Sequence, residues 1–284
     1  MTLVVADIHD GDRITMVSDT KITWAGDVTK TRHTYENALA KIVILRADLA
    51  VGVAGNDPHG TIRLLTEVRD VTVDEMLERL RLERHAEFVI AALDPARLWM
   101  VRDGNVEPRT GGIRAWCGDG DAYSEFQEKY HQWGEGQEVP FLLMSSEQGL
   151  TSFDSVSTVG GYTIRASGTP TEGFLFPPDR MALMPEMQVT SARFEHGNLK
   201  LTLEVPPGGD PTVSELIVFA GRGRTRGAIG LLHPLANAGR LFRHEHPYES
   251  VTVPASTPDE FVRIALEDHG QEVVYGPKPQ GWNF

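Results

Sequence analysis

A single cysteine, Cys117, stands in a chain of 284 residues. One thiol cannot build an intramolecular disulfide framework, so the fold must rest on burial and hydrogen bonding, and the chain suits a reducing compartment. Basic residues are scarce as well: 27 Lys and Arg against 40 Asp and Glu leave a net charge of -13. That surplus argues against nucleic acid or an anionic membrane as the main partner. No apolar run approaches the ~20 residues that span a bilayer. The start of the chain has neither the charged segment nor the apolar stretch of a signal peptide, so the expected setting is the cytoplasm. Internal repeats and low-complexity tracts are absent too. What is present, 40% hydrophobic and 24% charged residues, is the composition of a soluble chain with a real core. It is long enough for one large domain, or one domain with a sizeable appendage.

Residues 3–8 (LVVADI) and 14–18 (ITMVS) are β-rich and flank Asp10-Gly11, a strong hairpin signal. A polar stretch over 23–37 interrupts the pattern. Residues 42–45 and 49–53 predict a second hairpin around Arg46-Ala47-Asp48. The chain then turns at Gly55-Asn56-Asp57-Pro58 into a helix over 59–69. A further helix is expected over 73–85, where Val73, Met76, Leu77, Leu80 and Leu82 follow helical spacing. Strands return at 88–93, 98–102 and, after an Asp103-Gly104-Asn105 turn, 113–117. Gly118-Asp119-Gly120 ends that run before a helix over 121–133. Strands, helices, strands and a helix, in that order, predict two antiparallel sheets face to face with helices outside rather than a βαβ fold. Beyond residue 165 or so, proline and glycine gather at 168–185 and 206–211. Strand-like runs cover 192–205 and 215–219, and Thr257-Pro258 opens a helix over 258–268.

Thr2 follows the initiator Met1, and its small side chain suits removal of that methionine. Trimming would leave one residue with a hydroxyl and an α-amine of pKa near ~8. Such an amine can take the hydroxyl's proton, so nucleophile and base need only one residue. A threonine in second place is common in ordinary chains, and it gains weight only from Asp19, Lys41 and Gly55 in order behind it.

The text from Thr2-Leu3-Val4-Val5 through Val17-Ser18-Asp19-Thr20-Lys21, then Lys41-Ile42-Val43-Ile44 and Val53-Ala54-Gly55-Asn56, resembles the proteasome β-subunit group of N-terminal-nucleophile hydrolases, including the bacterial HslV-type and Anbu-type relatives. Residues 88–120 are similar to that family's core strand, short hairpin and glycine-flanked turn, and Asp154-Ser155-Val156-Ser157 leading to Gly160-Gly161 supplies a third block. The resemblance covers about the first 165 residues in order. It implies an α+β fold, a four-layer αββα sandwich over 1–190, with 191–284 as a C-terminal extension of underived role. It further implies a threonine-type hydrolase of peptide bonds that assembles into a closed homo-oligomer. There are departures: the family's Gly-Ser-Gly turn reads Gly118-Asp119-Gly120 here, and the segment between Asp19 and Lys41 is long.

In that frame Thr2 attacks a carbonyl carbon to form an acyl-enzyme. A buried Lys41 ammonium favours the deprotonated amine and an alkoxide, and Asp19 is its expected partner. The bland readings are a solvated strand end for Lys41 and a strand-end turn for Asp19. Gly55 offers an N–H to the oxyanion, or is merely a turn glycine required for its dihedral angles. Val53 and Ala54 would wall the substrate pocket. Asp154 and Ser157 would hold the α-amine, against the alternative of a Ser/Thr-rich loop. Asp119 would accept from the same amine and raise its pKa, counter to Lys41. His244-Glu245-His246 lacks a third metal ligand, Gly221-Arg222-Gly223-Arg224 lacks the ending of a phosphate loop, and Cys117 reads as core. The expected partners are a peptide or small amide and further copies of the chain, with no cofactor, metal, nucleic acid or membrane; an unfoldase partner stays open. Two other readings remain: an amidase of a small amide, and a non-catalytic relative.

Overall fold

The computed structural model describes residues 2–20, 38–110, 114–133, 159, 163–183, 188–195, 198–204 and 214–278. The fold is mixed α+β, and every strand pair in it is antiparallel. The first hairpin forms as the Asp10-Gly11 signal predicts. Strand β1 (Leu3–His9) and strand β2 (Arg13–Asp19) pair with His9 opposite Arg13, and Asp10 and Gly11 take the positive φ values of 52° and 85° that close so short a loop. The second hairpin joins β3 (Ile42–Arg46) to β4 (Leu49–Gly55).

Asp57 caps α1 (Pro58–Glu67) by accepting from the Gly60 N–H at 3.0 Å, with Pro58 at the first helical position where no N–H is needed. Thr72 caps α2 (Val73–Leu80) in the same way. Strands β5 (Ala86–Leu93), β6 (Ala96–Arg102) and β7 (Asn105–Arg109) follow, then β8 (Ala115–Gly118), α3 (Gly120–Trp133) and β9 (Thr163–Gly168). Sheet 1 has the order β8-β1-β2-β9 and sheet 2 the order β3-β4-β5-β6-β7.

Strand alternation explains how these layers meet. Val4, Ala6, Ile14, Met16, Ala115 and Cys117 of sheet 1 join the same buried cluster as sheet 2. The approach is close at Gly52, where an added Cβ would come within 2.5 Å of Val4 Cγ1. The opposite face of sheet 1, with Leu3, Val5 and Val17, packs against Ala122 and Phe126 of α3. Ile62 and Leu65 of α1, with Met76, Leu77 and Leu80 of α2, are buried with the residues of sheet 2.

The C-terminal third holds more regular structure than the sequence suggests. Sheet 3 comprises β10 (Asp179–Leu183), β13 (Ser214–Gly221), β14 (Ile229–His233), β15 (Ala238–Phe242) and β16 (Ser250–Val253), with β17 (Val273–Val274) paired to β13. The run expected over 192–205 is instead a hairpin ribbon of β11 (Gln188–Glu195) and β12 (Asn198–Glu204). The expected boundary at 190/191 therefore falls inside β11, and β10, before it, pairs with β13.

One face of sheet 3, with Leu216, Val218, Ala220, Ile229, Leu231 and Phe242, is buried in the same cluster as sheets 1 and 2. Its other face receives α4 (Pro258–Glu267), whose Phe261 stacks on Phe219 at 4.2 Å. Polar ties bind the two parts: the Phe174 N–H donates to the Ala47 carbonyl at 2.6 Å, and Arg69 Nη2 to the His244 carbonyl at 2.6 Å. Among the described residues, no helix is long and apolar enough to cross a membrane.

Candidate active site

Thr2 lies just ahead of β1, Asp19 ends β2 and Lys41 immediately precedes β3, so three separate segments bring these side chains to one end of the paired sheets. All are closed from solvent: Thr2 and Lys41 are 3% exposed and Asp19 is 0% exposed. The Thr2 hydroxyl donates to Asp19 Oδ1 and accepts from Lys41 Nζ. Lys41 Nζ also donates to Asp19 Oδ1 at 2.9 Å, an ion pair, and the Leu3 N–H donates to the same oxygen at 3.1 Å. A buried ammonium and carboxylate that satisfy each other and one hydroxyl make chemical sense, since either charge alone would be strongly disfavoured inside the protein.

Backbone groups fix the threonine from the other side. The Asp119 N–H donates to the Thr2 carbonyl at 2.7 Å. Gly118 has φ +108°, and an added Cβ there would come within 1.9 Å of the Thr2 carbonyl oxygen. Only glycine can occupy that position without displacing the threonine. The Asp119 carboxylate accepts from the N–H groups of Asp121 and Ala122 at 3.0 and 3.1 Å, so it caps α3. An Asp just before a helical run is itself a sequence signal for such a cap.

Gly55 ends strand β4 and is not a left-handed turn residue. Its missing side chain answers a steric need, because an added Cβ would sit 2.8 Å from the His85 carbonyl oxygen and 3.1 Å from Ala86 Cα. The direction of its N–H follows from its neighbours. Val53 N–H bonds the Lys41 carbonyl and Asn56 N–H bonds the His85 carbonyl. By strand alternation the Gly55 N–H therefore turns to the Lys41 side.

A cleft of about 200 Å³ opens at Thr2 and is lined in part by Ala54, Gly55, Glu87, Asp103 and Gly118. Ala54 is one of the residues that line this cleft. Val53 does not line this cleft: it is 1% exposed and lies on the opposite face of β4 from Ala54. Asp154 and Ser157 lie outside the described residues. Gly118 stands in the family-like Gly118-Asp119-Gly120 turn, whereas Glu87 and Asp103 carry no such signal; the Asp103-Gly104 turn is legible in the sequence, but nothing in its composition aims it at Thr2.

The remaining candidates fall away from this site. His244 is half-buried beside Arg69, with Nε2 3.3 Å from Arg69 Nη1, and burial followed by the Arg69 charge lowers its pKa. No group of side chains suited to hold a metal occurs among the described residues. Arg222 and Arg224 are exposed around a short 3-10 turn, Gly223–Thr225. Cys117 is buried in the inter-sheet core, and burial pushes its thiol far above the usual range. No protein-family model matches the chain, and no curated protein matches it.

Proposed function

We propose that the protein is a proteasome-like N-terminal-threonine hydrolase that cleaves peptide bonds. The observation that carries this reading is the contact of the Thr2 hydroxyl with both members of the buried Lys41–Asp19 pair. Removal of Met1 frees the Thr2 amine, which takes the hydroxyl proton as the oxygen attacks the substrate carbonyl. The Lys41 ammonium opposes protonation of that amine and stabilises the alkoxide, while Asp19 keeps Lys41 charged and oriented. The Gly55 N–H, turned toward Lys41, receives the oxyanion; one such donor is worth roughly 2.7–4 kcal/mol of barrier. Protonation of the departing amine by the Thr2 ammonium leaves an ester on Thr2. Water then attacks that ester and restores the free hydroxyl and amine.

The packing of α3 on sheet 1, sheet 1 on sheet 2, and sheet 2 with α1 and α2 supports reading the part that holds these two sheets, up to the end of β9, as a four-layer αββα sandwich; this stops short of the expected bound at 190 because β10 pairs with β13 in sheet 3. On this reading copies of the chain assemble into a closed oligomer in the cytoplasm, which would confine the cleft to unfolded or short substrates. The small volume of the cleft favours a second reading, an amidase of a small amide. Fluorogenic peptides separate the two, since turnover of a small amide with no peptide cleavage selects the amidase. Thr2→Ala tests both: turnover is abolished while the melting temperature stays near that of the parent protein. Undiminished turnover in that variant refutes the proposal.

A further inference from the structure

The strand that anchors Thr2 is itself held from the opposite sheet. Among the described residues, strand β8 is one edge of sheet 1. Because the Asp119 N–H bonds the Thr2 carbonyl, the backbone groups of Cys117 and Ala115 also turn toward β1, and those of Trp116 and Gly118 turn outward to the unpaired side. Outward groups of an edge strand ordinarily meet water or another strand. Here two side chains from sheet 2 meet them. Arg102 Nη2 donates to the Trp116 carbonyl at 3.0 Å, and Glu87 Oε2 accepts from the Gly118 N–H at 2.9 Å.

Glu87 lies opposite Ala54 on β4, and the β5–β6 register that pairs Phe88 with Val101 brings Arg102 beside it on β6. The Arg102 guanidinium also lies 4.3 Å from the centre of the Trp116 ring, which stacks on Tyr123 at 4.3 Å. A donor and an acceptor, set side by side on one sheet, thus take the role of a missing neighbour strand for β8. What they hold matters for Thr2. Gly118 has no clearance from the Thr2 carbonyl, so a shift of β8 moves the threonine relative to Lys41 and Asp19.

We infer that Glu87, with Arg102 beside it, is a positioning residue of the threonine site: it holds the Gly118 N–H and, through Gly118 and Asp119, the backbone of Thr2. This role rests on the hydrolase reading. It requires an acceptor oxygen at Glu87 and no charge, so a glutamine should serve and a leucine should not.

The test uses the full chain and a β-lactone probe that acylates threonine nucleophiles. In Glu87→Leu the maximal acylation rate falls about 10²-fold, as expected for a misplaced reacting group. Because Glu87 also lines the cleft, the half-saturating probe concentration is followed alongside, and it changes by a much smaller factor than the maximal rate. Glu87→Gln restores most of the rate. Hydrogen exchange of the Gly118 amide accelerates in Glu87→Leu and not in Glu87→Gln. Glu87→Ala replaces the leucine variant if that one does not fold. Equal rates in the wild type and the leucine variant overturn the inference, as does a glutamine variant as slow as the leucine one, or Gly118 exchange indifferent to both. Wild-type protein that is never acylated at Thr2 sinks the hydrolase reading and the positioning role with it, whereas a labelled wild type beside an equally labelled leucine variant sinks the positioning role alone.

Discussion

The side chains around Thr2 and those between sheet 3 and α4 are both buried, yet they are built from opposite chemistry. At the threonine, an ammonium, a carboxylate and a hydroxyl are buried in mutual contact. Between sheet 3 and α4 a cluster of apolar side chains is buried around Phe261, and Gly230 and Gly239 leave room for its ring: an added Cβ would come within 2.6 and 2.5 Å of it. An apolar pack of that kind stabilises through area and contact. A buried ion pair adds little net stability and is costly once one partner is lost. The charged interior therefore needs a reason other than stability, and the reactivity proposed for Thr2 would supply one.

Breaking the ion pair gives the largest expected effect. Lys41→Ala leaves the Asp19 carboxylate buried without its ammonium, a loss of about 3–5 kcal/mol in equilibrium unfolding, and acylation of Thr2 falls with it. Adding Asp19→Asn to that variant recovers much of the stability and none of the acylation. If acylation returns along with stability, Lys41 has only a structural task.

Phe261→Ala probes the other interior. Loss of a buried phenyl ring costs about 3–5 kcal/mol, read in the same unfolding experiment. Acylation of Thr2, measured well below the melting temperature, is retained in the folded fraction. A matching loss of acylation would mean that the two interiors are coupled and the contrast between them is false.

Asp7 sharpens the comparison with a smaller effect, because it is a buried carboxylate outside the site. Its partner is Arg114, 3.1 Å away. Burial raises its pKa above 3.8, and the attraction of Arg114 only partly offsets the rise. A carboxyl whose folded pKa is raised contributes stability at pH below its unfolded value and loses it as pH climbs through the folded one. Stability should therefore decline over the interval above pH 3.8, and Asp7→Asn should flatten that part of the profile. A slope unchanged in that variant assigns the decline to other groups.

The sequence made the first 133 residues largely legible because local signals there agree with the tertiary result. Asp10-Gly11 marks a hairpin that forms, Asp57-Pro58 a helix start, and β1 to β4 alternate or run apolar as buried strands do. Strand β7 was not legible, since Asn105–Arg109 carries a proline and little apolar content and survives as an edge strand. Sheet 3 was hidden for a different reason: several of its strands have only four or five residues, too short for periodicity to register, and their order appears only on pairing.

At the site, the motif spacing pointed to Thr2, Asp19 and Lys41, and these three do meet. Gly118 stood in the family-like Gly118-Asp119-Gly120 turn, but its press against the Thr2 carbonyl leaves no local pattern, and neither does Glu87 on an edge amide. Asp119, expected beside the amine, also caps α3 through Oδ1, a role that an Asp just before a helical run signals.

The most direct measurement is mass spectrometry of protein treated with the β-lactone, first intact and then digested, so that the state of the N-terminus and the acylated atom are read together. The hydrolase reading requires that Met1 is absent and that one acyl group sits on the first peptide, at Thr2. Acylation elsewhere, or turnover by protein that still carries Met1, would contradict it.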